Sequence, residues 1–242
     1  KGVKRNTSSF YMRNLRSVYN RAVKYGFARQ TYPFRNIYVG IDKTLKRAVD
    51  EQVLAKLKAL DLSGMQWLQL ARDLFIFSYC TRGMSFVDMA YLKKENIVDG
   101  SIRYVRRKTG QMLSVRIEAN VWCIMEHYKQ TVYGSYLLPI IRSDNEAVAY
   151  RQYQTKLRYY NKHLKMLAKM LGDKVVLTSY VSRHSWASTA RKLNVPIAVI
   201  SDAMGHDSEK TTQIYLASLN EDIIDDANAK IVASLDKGVL KV

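Results

Sequence analysis

The sequence predicts a mainly α-helical fold with one small antiparallel β-hairpin or sheet, an α+β domain preceded by part of a separate helical unit. Three observations carry that reading. After Ala48, apolar residues recur at helical spacing through most of the chain. One stretch, "SIRYVRRKTGQMLSVRI" (Ser101–Ile117), switches instead to alternation on either side of a Lys-Thr-Gly turn. Ahead of Ala48, an amphipathic segment is cut off by "RQTYPFRNIYVGIDKTLKR" (Arg29–Arg47), whose Pro33 and Gly40 read as an extended basic linker.

The elements follow in order. "SSFYMRNLRSVYNRAVKYG" (Ser8–Gly26) is a helix with Tyr11, Leu15, Val18, Ala22 and Val23 on an apolar stripe and Arg13, Arg16, Arg21 and Lys24 carrying charge. Such a stripe has too little to bury against alone, so the helix reads as the end of a domain spanning residues 1–32, with a linker over 33–47. The first residue is Lys1 and not Met, which reads as a piece of a longer protein. Residues 48–242 then form the main domain. "DEQVLAKLKAL" is one helix, and "MQWLQLARDLFIFSY" is a second, apolar nearly all round and therefore central. Beyond the hairpin, helices are predicted near Val121–Tyr128, Glu146–Met170, Tyr180–Leu193 and Pro196–Met204, with a short one after Ser208. A last helix, about Glu221–Leu235, begins on acidic residues that suit a helix N-terminus and makes 220–242 a candidate interaction tail.

Composition narrows the partner. Apolar residues make up 48% of the chain, enough for a substantial core. Lys and Arg number 39 against 21 Asp and Glu, a formal charge of +18 that calls for a polyanion, since neutralising phosphates releases their counterions. No long apolar run, lipid anchor or signal peptide points to a membrane, which favours nucleic acid. Cys80 and Cys123 stand in apolar surroundings and read as buried thiols in a reducing compartment, with no zinc or disulfide framework.

Four segments supply polar residues that could work together: "CTRGMSFVDMAYL" with Arg82, "RRKTG" with Lys108, "TSYVSRHSWAS" with Tyr180, Arg183 and His184, and "AMGHDSEKTTQIYL" with His206 and Tyr215. Metal-free phosphodiester transesterification uses such a set. Guanidinium groups match the non-bridging oxygens of a pentavalent phosphorus and never deprotonate. A histidine donates to an oxygen or manages a proton. Lys108, on a flexible turn, could protonate the departing 5′ oxygen, and Tyr215 attacking phosphorus would leave a 3′-phosphotyrosyl bond, so no ATP is needed. No acidic cluster suggests a magnesium site, and no cofactor is called for. Each residue also has a plainer reading. Tyr215 is one of 17 tyrosines, Arg106 and Arg107 beside Lys108 read as plain phosphate contacts, His127 and His163 are structural, and Trp186 belongs in the core.

Order and spacing favour the joint reading. "RHSWAS" followed by "MGHDSEKTTQIYL", with Gly205, His206, Thr211 and Tyr215, resembles the tyrosine recombinases, or phage integrase family, from about Ala48 to Val242. The preceding helix and linker look like the tail of that family's core-binding domain. "TRGMSFVDMAYL" and "TSYVSRHSWA" are similar to integrases of mobile elements in Bacteroides-type bacteria. The resemblance implies cleavage of double-stranded DNA by Tyr215, with Arg183, His206, Lys108, Arg82 and Tyr180 as further catalytic residues. DNA contacts would come from Arg13, Arg16, Arg21, Lys24, Arg106, Arg107 and His184. It further implies a homo-tetramer on DNA assembled from monomers, a terminal helix docked on the neighbouring subunit, a DNA-bending accessory protein, and residence in the bacterial cytoplasm with the nucleoid.

Two departures qualify the match. Where the family has His-x-x-Arg, Tyr180 stands three residues before Arg183, and a phenol donates a hydrogen bond but carries no positive charge near neutral pH. Where the family reads Gly-Leu-Arg-x-x-Glu-Leu, aligning Asp88 and Leu92 puts Ser85 in the arginine slot, and Arg82, one helical turn earlier, is expected to substitute. The departures keep two other readings in view, a catalytically silent DNA-binding regulator of the same fold and a type IB topoisomerase-like enzyme.

Overall fold

Helix α1 (Arg5–Lys24) opens a computed structural model that describes residues 2–42, 48–172, 174–206 and 208–216. The chain divides into two units, Lys1–Leu45 and Lys46–Val242. In the first unit α1 ends in a turn in which Gly26 takes φ +77°, and Phe27 N–H reaches back to the Ala22 carbonyl. That closure satisfies carbonyls left over at the helix end and needs a left-handed residue. The segment expected as an extended basic linker folds back along α1 as far as residue 42. Asn6 and Asp42 exchange side-chain–backbone hydrogen bonds of 3.0 and 2.7 Å, Ser9 Oγ donates to the Gly40 carbonyl, and Tyr19 OH donates to the Arg29 carbonyl at 2.7 Å. Polar side chains of α1 thus supply the backbone partners that an extended segment lacks. The expected apolar stripe residues Tyr11, Leu15 and Val18 are exposed in this unit.

The second unit is built around α3 (Gln66–Cys80), whose Ala71, Leu74, Phe75, Ile76 and Phe77 are all buried. A helix apolar on every side must be surrounded, and α3 packs against α2 (Glu51–Ala59), α5 (Ala119–Tyr128), α6 (Glu146–Leu171) and α7 (Val181–Lys192). Phe75 and Phe77 are fully buried, each contributing about 1.5–3 kcal/mol of transfer free energy. The buried charge on α3 is Asp73, which accepts from Arg72 and from Tyr128 OH, both at 2.8 Å. Helix α2 starts where Asp50 accepts the Val53 N–H, and α6 where Asn145 accepts the Val148 N–H.

Between α3 and α5 lie a short helix, α4 (Phe86–Ala90), a 3₁₀ turn at Lys94–Asn96 and a three-stranded antiparallel sheet. Its strands are β1 (Ile97–Val98), β2 (Ser101–Val105) and β3 (Met112–Arg116), in sequence order, with Ile102 opposite Val115 and Tyr104 opposite Leu113. The expected hairpin is β2–β3, and β1 adds a third strand. After α7 the chain forms α8 (Ile197–Met204) and α9 (Glu209–Leu216). Trp186 packs with Ala187, Ala190, Ile200 and Met204 in a small second core beneath these helices. Cys80 is half-buried and burial pushes its thiol up, whereas Cys123, expected inside, is exposed. Cys123 lies on the outer face of α5, opposite the buried Val121 and Met125. The expected helix at Glu221–Leu235 lies outside the described residues.

Candidate active site

The site begins where α3 stops. Thr81 Oγ1 donates back to the Phe77 carbonyl at 2.7 Å, and Arg82 and Gly83 then turn the chain with φ +59° and +72°. Glycine is required at the second position on two counts. Its φ is left-handed, and a Cβ there would sit 2.7 Å from the Arg183 Cα. The close approach lets Ser78 and Ser182, both buried, pair through their hydroxyls at 2.8 Å. Small residues on α7 therefore bring Arg183 under the end of α3.

Arg183 is 5% exposed, and its guanidinium is fully directed. One terminal nitrogen donates to the Gly83 carbonyl at 2.8 Å, and the other to the Met204 carbonyl at 2.5 Å and to His206 Nε2 at 3.1 Å. Buried charge is tolerated only with this degree of pairing. Gly205, at φ +62°, terminates α8 in the left-handed conformation, and His206 N–H returns to the Ser201 carbonyl at 3.0 Å. The Gly turn thus fixes where His206 points.

The imidazole bridges two elements. Its Nδ1 lies 2.8 Å from Thr212 Oγ1 on α9, the helix that carries Tyr215 in its last turn. An arginine nitrogen can only donate, so Nε2 accepts from Arg183 and the proton sits on Nδ1, facing the threonine. Burial, then Arg183, Arg106 and Lys108 in that order, push the His206 pKa down to about 4. His206 is therefore a neutral imidazole at physiological pH with its lone pair on the Arg183 side. The sign of the linkage follows. The unfolded histidine titrates near 6.5 and the folded one near 4, so the stability it contributes is complete above pH 6.5 and declines as pH falls toward 4. Thermal melts should show a lower Tm at pH 5 than at pH 7, with part of that difference absent in His206→Gln. An NMR midpoint for His206 at or above 6.5 would contradict this environment.

The hairpin meets the same place from the other side. Asp88, 3% exposed, accepts the Arg107 N–H at 2.9 Å and the Ser85 hydroxyl at 2.6 Å, tying the turn to the start of α4. Ser85, in the slot where the family's arginine was expected, also caps α4 by accepting the Asp88 N–H. Lys108 is exposed at the tip, near enough to act on His206, and Arg107 is exposed with its guanidinium 3.8 Å over the Tyr91 ring. Arg106, expected as a plain phosphate contact, is buried. Strand alternation turns Ile102, Tyr104 and then Arg106 inward, leaving Arg106 7% exposed and donating to the Gly205 carbonyl.

The remaining expected residues are spread more widely. Tyr180 precedes α7, is 59% exposed, and borders a small cavity of about 80 Å³ with Ser85 and Arg183. His184 follows Arg183 on α7 and is half-buried. Arg82 is half-buried at its left-handed turn. Arg16, Arg21 and Lys24 are exposed on α1 and Arg13 is half-buried there, all within the first unit. Thr212 is the residue that sequence reasoning missed. Thr211 drew attention, yet it is exposed and pairs with Ser208, while Thr212 is fully buried against His206. A signal existed, because Thr212 lies one turn before Tyr215 on α9. Among the described residues, no three His, Cys, Asp or Glu side chains gather as a metal site would require.

Residues 52–222 match the phage integrase family. The chain belongs to the phage integrase family. Membership makes it a site-specific DNA recombinase of the tyrosine type. No curated protein matches it. Among solved structures it is similar to XerH recombinase bound to palindromic difH substrate in a post-cleavage complex, with TM-score 0.71 and 17% identity, covering 94% of this chain and 68% of that one. A lambda integrase (75-356) dimer bound to a COC′ core site gives TM-score 0.62 and 17% identity over 86% of this chain and 71% of that one. The Tn1549 transposon integrase (aa 82-397) with circular intermediate DNA gives 0.60 and 15% over 95% and 80%. Against a longer lambda integrase chain, this one spans 55% of the length. The shared feature is the fold, an integrase helical domain with its small antiparallel sheet.

Proposed function

We propose that this chain cuts and rejoins double-stranded DNA at specific sites through Tyr215. The phenol oxygen attacks the scissile phosphorus, the bond from phosphorus to the 5′ oxygen breaks, and a 3′-phosphotyrosyl ester and a free 5′-hydroxyl result. As the Arg183 donor turns from His206 Nε2 to the phosphate oxygen, Nε2 takes the tyrosyl proton, Lys108 gives one to the departing 5′ oxygen, and the roles reverse when an incoming 5′-hydroxyl displaces the tyrosine. Arg183 and a second guanidinium hold the non-bridging oxygens as charge builds there. Arg82, next to Ser85, is the candidate for that second group by sequence order. Tyr180 is a neutral donor at the rim. Bond energy is conserved in the ester, so neither ATP nor another cofactor enters the balance.

One observation carries this reading most directly. A buried arginine and a neutral histidine are hydrogen-bonded to each other at 3.1 Å, and the histidine is hydrogen-bonded in turn to the helix that carries Tyr215. The charge of +18 supports DNA as the partner, with Arg13, Arg16, Arg21, Lys24, Arg107 and His184 as backbone contacts. The DNA-bound dimers and tetramer among the similar structures support oligomerisation on DNA. On that basis the working assembly is a homo-tetramer formed from monomers on two duplexes, with residues 220–242 docking on the neighbouring subunit and a DNA-bending protein assisting. The resemblance of "TRGMSFVDMAYL" supports an integrase of a Bacteroides-type mobile element, acting in the bacterial cytoplasm on nucleoid DNA. No described helix is long and apolar enough to cross a membrane.

The test is to trap the intermediate. Protein would be incubated with duplexes carrying the source element's ends and a nick that lets the 5′-hydroxyl fragment diffuse away, then quenched in detergent and digested. The expected product is a peptide containing Tyr215 esterified to a DNA 3′ phosphate. Tight, salt-sensitive binding without any adduct would favour the silent DNA-binding regulator instead.

A further inference from the structure

The family's first arginine is missing from its motif, because Ser85 occupies that slot and is engaged in capping α4 and in pairing with Asp88. A site that must hold a doubly charged phosphoryl transition state has to find its second guanidinium elsewhere. The nearest candidate along the chain is Arg82. We propose instead that Arg106, at the base of the β2–β3 turn, supplies it as a catalytic residue donating to a non-bridging oxygen of the scissile phosphate. This inference rests on the recombinase reading above.

The first support is burial without an ion partner among the described residues. Arg106 is 7% exposed, belongs to none of the described salt bridges, and its one described side-chain hydrogen bond goes to the Gly205 carbonyl. A guanidinium carries five N–H donors, so the group is anchored yet far from saturated. Its anchoring atom also matters. Arg183 donates to the Met204 carbonyl and Arg106 to the Gly205 carbonyl, so two guanidinium groups converge on consecutive carbonyls at the C-terminal end of α8. The partial negative charge of a helix C-terminus holds two cations side by side that would otherwise repel. That arrangement is preorganised for an anion bridging them.

The approach is tight at a glycine that its left-handed φ of +62° already favours. A Cβ at Gly205 would lie 3.2 Å from Arg106 Cδ and 3.0 Å from a Leu113 methyl carbon, and the same Gly205 sets the direction of His206. Arg106 is also one of the three cations that depress the His206 pKa, behind only Arg183 among them, while Arg82 is not one of the three. Around the buried Tyr104 hydroxyl the same ordering holds, with Arg183 first, Arg106 next and Arg82 last. Arg82 sits on a left-handed turn, half-buried, with no described side-chain hydrogen bond. Lys108 lies two residues beyond Arg106, so one turn carries both the phosphate ligand at its base and the leaving-group acid at its tip.

The experiment compares wild type with Arg106→Ala, Arg106→Gln, Arg106→Lys and Arg82→Ala on two nicked duplexes, using each variant that melts within a few degrees of wild type. One duplex has a normal scissile phosphate, and in the other a methylphosphonate replaces a non-bridging oxygen and removes its charge. A guanidinium that neutralises that oxygen becomes dispensable once the charge is gone, whereas a merely structural residue does not. On the normal phosphate, Arg106→Gln and Arg106→Ala should form adduct on the order of a hundredfold more slowly than wild type. Arg106→Lys should fall between, and every Arg106 variant should lose more than Arg82→Ala. On the methylphosphonate, the Arg106 variants should approach wild type. Near-wild-type rates for Arg106→Gln on the normal phosphate, a defect equally large on both substrates, or a larger loss at Arg82 would each overturn the assignment. Failure of wild type itself to form adduct would sink the recombinase reading, a result separate from any ranking of the variants.

Discussion

Tyr215→Phe is expected to form no covalent adduct with DNA at any protein concentration, while binding the same duplexes within a few-fold of wild type. The substitution removes one oxygen and keeps the ring, so the helix α9 that presents it retains its shape. A free phenol has a pKa of about 10, leaving little phenolate at neutral pH, so the proposed attack requires a neighbouring base. Loss of the proposed nucleophile therefore removes the covalent pathway. The readout is a detergent-resistant band with end-labelled duplex, together with recombination of two supercoiled sites. An adduct persisting in Tyr215→Phe would move the nucleophile to another of the 17 tyrosines. The exposed Tyr180 beside Arg183 would then be the first to replace.

Arg183→Ala should give the second-largest effect, slowing adduct formation on the order of a hundredfold or more. It should also lower stability, because the Gly83 and Met204 carbonyls and His206 Nε2 all lose a donor, at about 1–3 kcal/mol for each acceptor left buried and unpaired. The two effects separate experimentally. Arg183→Lys restores charge but cannot serve acceptors on three segments at once, since an ammonium is a point donor and a guanidinium a planar fork. The lysine variant should recover part of the DNA affinity and little of the cleavage rate. Single-turnover adduct formation at saturating protein, alongside thermal melts, measures both. A variant that melts early yet cleaves at the wild-type rate would reduce Arg183 to a brace between α3, α7 and α8.

Much of this could be read along the chain, and the reasons are local. Helices α6 and α8 fall almost where the 3.6-residue period placed them, because an amphipathic run has to bury one face whatever its partner. The β2–β3 hairpin follows from alternation about Lys-Thr-Gly, and the order of Arg183, His206 and Tyr215 was enough to indicate the chemistry. Elements too short to repeat their period were invisible. Five-residue α4 and two-residue β1 exist because Ser85, Asp88 and the neighbouring β2 supply their caps and partners, and none of these acts through periodicity. The same limit hid the fold-back of the segment before residue 43, which depends on side chains contributed by α1.

At the site, the residue types and their order along the chain could be read directly. Tertiary structure decided which of them meet. Arg82, Arg106 and Arg107 are alike as letters, yet one lies on a left-handed turn, one is buried against the Gly205 carbonyl and one stacks on Tyr91. Thr211 and Thr212 are adjacent, and only the second reaches His206. A guanidinium or hydroxyl becomes functional through the acceptors around it, and those acceptors come from segments far apart in the chain. The Gly83 carbonyl, the Met204 carbonyl and the imidazole lie together only once α3, α7 and α8 have packed, which is why their alignment on Arg183 belongs to the fold and not to any stretch of sequence.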